Sequence, residues 1–168
     1  MKVLIVYESK GPLNPLDRMA AEIAEGVREE GCEVEMRTPE AVALEEVLKA
    51  NGLILGTPSH YGSVSARMKG FLDRTYEVHG KLDGKVGAAF TTSRHVGGGN
   101  ETTLLGLHMF FLIHGMVVQG DPKAAHYGPF VVQVTEDEDP IVDDEGQARR
   151  LGQRVARLVK KLGQLGGS

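Results

Sequence analysis

Three short apolar runs, each followed by apolar residues at helical spacing, constrain the fold of this chain more than any other feature. Val3 to Val6, Leu53 to Leu55 and Val86 to Phe90 are continuous rather than alternating, as strands buried on both faces are. Leu16, Met19, Ala20, Ile23, Ala24 and Val27 make a helical stripe after the first run, and Val64, Met68, Phe71 and Leu72 make one after the second. Thr102 to Ile113, after the third, reads as a helix that is apolar nearly all round. Val34 and Met36 alternate with Glu33, Glu35 and Arg37, which suits a strand with one solvated face at a sheet edge. Met116 to Val118 gives a short fifth strand, and a last helix from about Asp144 carries Leu151, Val155, Leu158, Val159 and Leu162 on one face. Strands separated by crossover helices pair in parallel. The pattern predicts an α/β fold: one domain over residues 1–168, with a five-stranded doubly wound parallel sheet, helices on both faces and the second strand at an edge.

Composition removes several functional classes. A formal net charge of -4 argues against a nucleic-acid surface. Cys32, the only cysteine, excludes a disulfide framework and a thiolate metal cluster, and it sits where an exposed helix turns into an edge strand. No apolar run is long enough to span a bilayer, and Met1 leads straight into a strand, so a soluble cytoplasmic protein is expected. No histidine pair at i, i+4 has a carboxylate partner, and no G-x-S-x-G elbow is present, which leaves no metal or hydrolytic site. The acidic run Glu136-Asp137-Glu138-Asp139 reads as a solvated loop, and Arg149, Arg150, Arg154, Arg157, Lys160 and Lys161 as the outer face of the last helix.

Ligands of open parallel sheets bind where loops leave the carboxyl ends of the strands. Three such loops carry the candidate site. Gly56-Thr57-Pro58-Ser59-His60-Tyr61-Gly62-Ser63-Val64-Ser65 joins a buried strand to a helix that Ser63 or Ser65 can cap, and its glycines allow backbone amides close to a flat ring. Thr92-Ser93-Arg94-His95-Val96-Gly97-Gly98-Gly99 has three consecutive glycines, explained by close approach of a ligand, with Asn100 expected as the cap of the next helix. The first loop, Glu8 to Asp17, lacks both GxGxxG and GxxxxGK[ST]. Asn14 as N-cap, Pro15 and Asp17 make a good helix start whose dipole favours a phosphate, held by Ser9, Lys10 and Asn14.

With Met68-Lys69-Gly70-Phe71-Leu72-Asp73-Arg74-Thr75, Gly97-Gly98-Gly99-Asn100-Glu101-Thr102-Thr103 and His114-Gly115-Met116, these loops resemble the flavodoxin-like FMN proteins of the WrbA type, which are NAD(P)H:quinone oxidoreductases. The likeness covers nearly the whole chain and is most specific from Gly56 to Gly120. It implies the flavodoxin-like strand order and FMN as cofactor, with NADH or NADPH as reductant and quinones as acceptors. Ser9, Lys10, Asn14, Leu16 and Asp17 would then surround the FMN phosphate. Pro58, Ser59, His60, Tyr61, Gly62, Ser63 and Val64 would line the isoalloxazine, and Thr92, Ser93, Arg94, His95, Gly97, Gly98 and Gly99 would border its pyrimidine edge. Tyr127, in His126-Tyr127-Gly128, would belong to a late loop closing over the flavin.

The flavin itself does the redox chemistry in such proteins, so no side chain is assigned a certain catalytic role; Tyr61 and His95 are the candidates. A homo-oligomer, dimer or tetramer, is implied as well. Three departures from the family matter. The phosphate loop is longer and contains proline, which predicts a weaker grip on phosphate. Tyr76-Glu77-Val78-His79 stands where longer members have Gly-Gly-Leu-Trp, and Arg94 and His95 replace small residues. The alternative is a flavodoxin-type electron carrier, which would dock protein partners through an acidic rim.

Overall fold

A computed structural model describes residues 1–11, 14–123, 125–132 and 145–165. Pro12, Asp144, the Glu136 to Asp139 run and the tail from Gly166 lie outside them. The elements in chain order are β1 (Lys2–Tyr7), α1 (Pro15–Glu29), β2 (Glu33–Arg37), α2 (Leu44–Lys49), β3 (Gly52–Pro58), α3 (Ala66–Arg74) and a 3-10 turn (Thr75–Val78). There follow β4 (Val86–Ser93), α4 (Asn100–Ile113), β5 (Val117–Val118), β6 (Phe130–Val132) and α5 (Glu145–Leu165). Among the described residues no helix is long and apolar enough to cross a membrane.

Continuous apolar strands need cover on both faces, and the helices provide it. Val3, Ile5, Ile54, Val86, Ala88 and Phe90 point to one side, where the stripe of α1 meets Ala148, Leu151, Val155, Ala156 and Val159 of α5. Leu4, Val6, Leu53, Leu55 and Ala89 point to the other, against Met68 and Phe71 of α3 and Leu104, Leu107 and Phe111 of α4. Alternate residues of one strand thus feed two separate cores. All pairings between the strands are parallel, in the order β2-β1-β3-β4-β5. This is the flavodoxin-like order, with β2 at the edge as its alternating sequence predicts.

The strand count differs from expectation. Among the described residues six strands are present rather than five, because β4 carries β5 against Val86 and Gly87 and β6 against Thr91 to Ser93. Since β3 holds the other edge of β4, β5 and β6 divide its free edge between them, separated by residues 119–129. Phe130, Val131 and Val132 make a run too short for periodicity to show as a strand.

Basic residues of α5 form ion pairs. Arg149 pairs with Glu22 and Glu29, Arg157 and Lys160 with Glu30, and Arg150 with Asp121. They lie on the outer face of α5 as expected, and from there they also fasten it to α1 and to the loop after β5. Under those pairs the two helices cross closely: a β-carbon on Gly26 would lie 2.0 Å from the Arg149 carbonyl oxygen, and one on Gly152 would lie 2.0 Å from that of Ile23. Cys32 lies between α1 and the edge strand β2 as expected, but it is buried, its sulfur 3.9 Å from the Ala156 carbonyl of α5.

Candidate functional site

The carboxyl ends of β1, β3 and β4 open onto one crevice, and the loop after β3 is fixed from beneath it. Glu8, just past β1 and 2 % exposed, accepts hydrogen bonds at Oε1 from the Thr57 hydroxyl at 2.7 Å and from the Ser65 hydroxyl. Thr57 Oγ1 accepts the Ser65 amide at 3.2 Å, and Ser65 Oγ accepts the Met68 amide at 3.1 Å, capping α3. One buried carboxylate therefore pins both ends of the loop from Thr57 to Ser65. The sequence pattern alone does not single out Glu8; its one signal is an acid two residues past the apolar run Val3 to Val6, where burial requires paired donors.

Between those ends the loop makes a tight turn closed by reciprocal bonds between His60 and Ser63, 2.9 and 3.0 Å long. Tyr61 and Gly62 both take left-handed backbone conformations, with φ of 52° and 73°. A tyrosine there is strained, and it presents its ring entirely to solvent at the tip of the turn. Pro58, Ser59 and Val64 are half-buried on the shoulders of the turn, and His60 and Ser63 are exposed.

The loop after β4 is joined to this turn. Ser59 donates its hydroxyl to the carbonyls of Gly98 and Gly99, both at 3.2 Å, and accepts from Thr103 Oγ1 at 2.9 Å, while its amide bonds Thr92 O at 2.7 Å. A β-carbon on Gly99, at φ 90°, would lie 2.5 Å from Gly62 Cα. One on Gly98 would lie 2.7 Å from the His95 carbonyl oxygen, whereas Gly97 faces open space. Two of the three glycines therefore serve the contact between and within the loops, a different reason from ligand approach. Gly99, not Asn100, occupies the cap of α4, and Asn100 is buried at the first helical position with neither side-chain amide atom partnered among the described residues. Ser93 bonds the His95 carbonyl at 2.9 Å, and Arg94, His95 and Val96 stand exposed at the rim.

The first loop is arranged differently. Asn14 caps α1 by accepting the Leu16 amide at 3.0 Å, and the Leu16 side chain lies in the core. The Asp17 carboxylate accepts the Ser9 hydroxyl at 2.6 Å, the Lys10 amide at 3.0 Å and the Tyr7 hydroxyl at 3.3 Å. Burial, then the charge of Asp17, raises the Tyr7 phenol above its ordinary pKa.

Tyr127 is not brought to these loops. Ala125 at φ 48° and Gly128 at φ 132° bend the chain into the gap between β5 and β6, where the Tyr127 carbonyl accepts a His108 ring N–H. Tyr127 there lines a pocket with Ala88, Ala89, Gln119 and Arg154, at mid-height on β4. His126 donates through Nδ1 to the Asp121 carbonyl of its own loop.

Residues 38–128 match the family described as NADPH-dependent FMN reductase. The chain belongs to that family. A flavodoxin of Aquifex aeolicus is 35% identical over 94% of this chain and 86% of its own, and an NAD(P)H dehydrogenase (quinone) of Geotalea daltonii is 33% identical over 96% and 98%. In structure the chain is similar to a flavodoxin described as WrbA-like from Agrobacterium tumefaciens, with a TM-score of 0.75 and 24% identity over 95% of this chain and 97% of that one. That likeness is one of fold.

The two ends of the crevice fit FMN unequally. At the ring end, the backbone N–H groups of His95, Val96 and Gly97 have no acceptor among the described residues, and the turn joined to this loop carries the exposed Tyr61 ring. Unpaired amides and a flat apolar surface suit a heteroaromatic ring that accepts hydrogen bonds along one edge. At the other end, two of the donors expected to take phosphate, the Ser9 hydroxyl and the Lys10 amide, already hold the Asp17 carboxylate.

Proposed function

We propose that this chain is an FMN-dependent oxidoreductase that passes electrons from NADH or NADPH to quinones or similar small acceptors. The observation carrying this reading is the single floor formed by the loops after β3 and β4, which offers unpaired amides and the Tyr61 ring at the carboxyl ends of adjacent strands. Membership of the FMN reductase family and the quinone-reducing relatives support it.

When bound, FMN supplies the chemistry, accepting a hydride and returning electrons to an acceptor. The residues of the chain bind and orient. With FMN bound, Pro58, Ser59 and Val64 would wall the ring and Tyr61 would cover it. The amides of His95 to Gly97 would face its pyrimidine edge, where N–H donors would favour negative charge. Arg94 and His95 at the rim give the nicotinamide nucleotide's phosphates charged partners. One open crevice serves donor and acceptor in turn, so the kinetics are ping-pong.

The assembly is a homo-oligomer, supported by Leu105, Met109, Leu112 and Ile113, which form an exposed apolar stripe along α4. Residues 1–168 act as one domain in the cytoplasm, a reading supported by the one continuous sheet and the free Cys32 thiol. The test is anaerobic. FMN-loaded protein mixed with NADH or NADPH bleaches in the flavin band, and benzoquinone restores the colour. Arg94→Ala raises the KM for the nicotinamide about tenfold with a smaller effect on quinone, as loss of one charge-assisted contact implies. Flavin that stays oxidised with both nicotinamides but accepts electrons from a reductase protein decides for a carrier.

A further inference from the structure

Asp17 occupies the place where the sequence puts an anionic ligand. It lies in the first turn of α1, where helix amides and dipole favour negative charge, and both its oxygens are engaged. Ser9 Oγ and the Lys10 amide, the two donors best placed for a phosphate, are 2.6 and 3.0 Å from it, and Tyr7 Oη adds a third bond at 3.3 Å. Among the described residues nearby, the Ser9 amide donates to the Tyr7 carbonyl at 3.1 Å, and Asn14 Oδ1 accepts from its own helix. A phosphate arriving at this point meets a like charge that already holds its donors, and like charges in one donor set exclude each other.

We propose that Asp17 is a built-in substitute for the flavin's phosphate, so that this chain selects its flavin by the ring and binds riboflavin about as well as FMN. The inference rests on the flavin reading above and names the residue that sets its specificity. Asp17 is a specificity-determining residue with no part in electron transfer. The raised phenol pKa of Tyr7 agrees with the arrangement, since a protonated hydroxyl beside a charged carboxylate is what the hydrogen bond requires.

The test measures binding alone. Quenching of flavin fluorescence gives dissociation constants of the purified protein for FMN and for riboflavin at equal ionic strength. The wild-type constants are expected to agree within about tenfold, a span of 1.4 kcal/mol. In Asp17→Asn the carboxamide keeps the shape and removes the charge, so FMN binding tightens about tenfold or more while riboflavin binding is unchanged. A wild-type preference for FMN beyond tenfold overturns the proposal, and so does an Asp17→Asn variant that binds FMN no better. The wild-type ratio decides the matter even where the variant does not fold. Failure of both flavins to bind the wild type overturns the flavin reading and this inference together, whereas equal binding without nicotinamide turnover overturns only the enzymatic reading.

Discussion

Glu8 connects two hydroxyls eight residues apart in sequence, so the loop between them cannot move without opening a buried polar cluster. Glu8→Ala leaves Thr57 and Ser65 without their acceptor, and urea denaturation is expected to show a loss of about 1–3 kcal/mol. Glu8→Gln, which keeps an acceptor oxygen, is expected to lose less and to retain flavin. His114 is a second buried polar residue, its Nε2 3.1 Å from Thr75 Oγ1 and its ring 5.4 Å from that of His79. Burial, then the charge of His79, lowers its pKa below the ordinary 6.5. The unfolded chain takes up this proton more readily than the folded one, so the stabilisation is complete above the unfolded value and is lost as the pH falls through the folded one. Melting temperature between about pH 7 and pH 5 is expected to fall further in the wild type than in His114→Gln.

The crossing of α1 and α5 depends on two glycines that helix propensity alone would count as defects. Gly26 and Gly152 remove about 1 kcal/mol of helical preference each relative to alanine, yet each leaves room for the other helix's backbone. Gly26→Ala is therefore expected to destabilise, by about 1–3 kcal/mol as overpacked sites do, despite the better helix former. Its direction separates packing from propensity, and a denaturant titration reads it. On the far side of the sheet, α4 buries one face and exposes an apolar one. Met109→Lys places a charge in the middle of that stripe and tests the proposed homo-oligomer: its dissociation constant is expected to rise by about tenfold or more, measured by sedimentation, with the melting curve of the chain little changed.

Ligand binding links the whole molecule to its site: saturation at about a hundred times the dissociation constant adds about 2.7 kcal/mol to stability. For a chain of this size that is a rise of about 5–10 °C in melting temperature, which thermal denaturation with and without riboflavin measures. The layered architecture was legible in the sequence because strands such as Leu53 to Leu55 are apolar on both faces and the stripe of α1 repeats at helical spacing. The edge position of β2 was legible for the opposite reason, its alternation. What escaped was set by contacts distant in sequence. Asp17 read as a helix-start acid because nothing local shows the Ser9 hydroxyl turned toward it, and Gly99 read as a ligand contact because its neighbour Gly62 is 37 residues away. The strand β6 escaped because three residues carry no period. Its separation from β5 has a consequence for how this fold can vary. Two short strands that grip different parts of β4 set their registers independently, while Asp121 and the Tyr127 carbonyl tie the chain between them to α5 and α4. A change of length between those two anchors therefore shifts neither register, each doubling of such a loop costs only about 0.6 kcal/mol, and the crevice at the strand ends keeps its geometry.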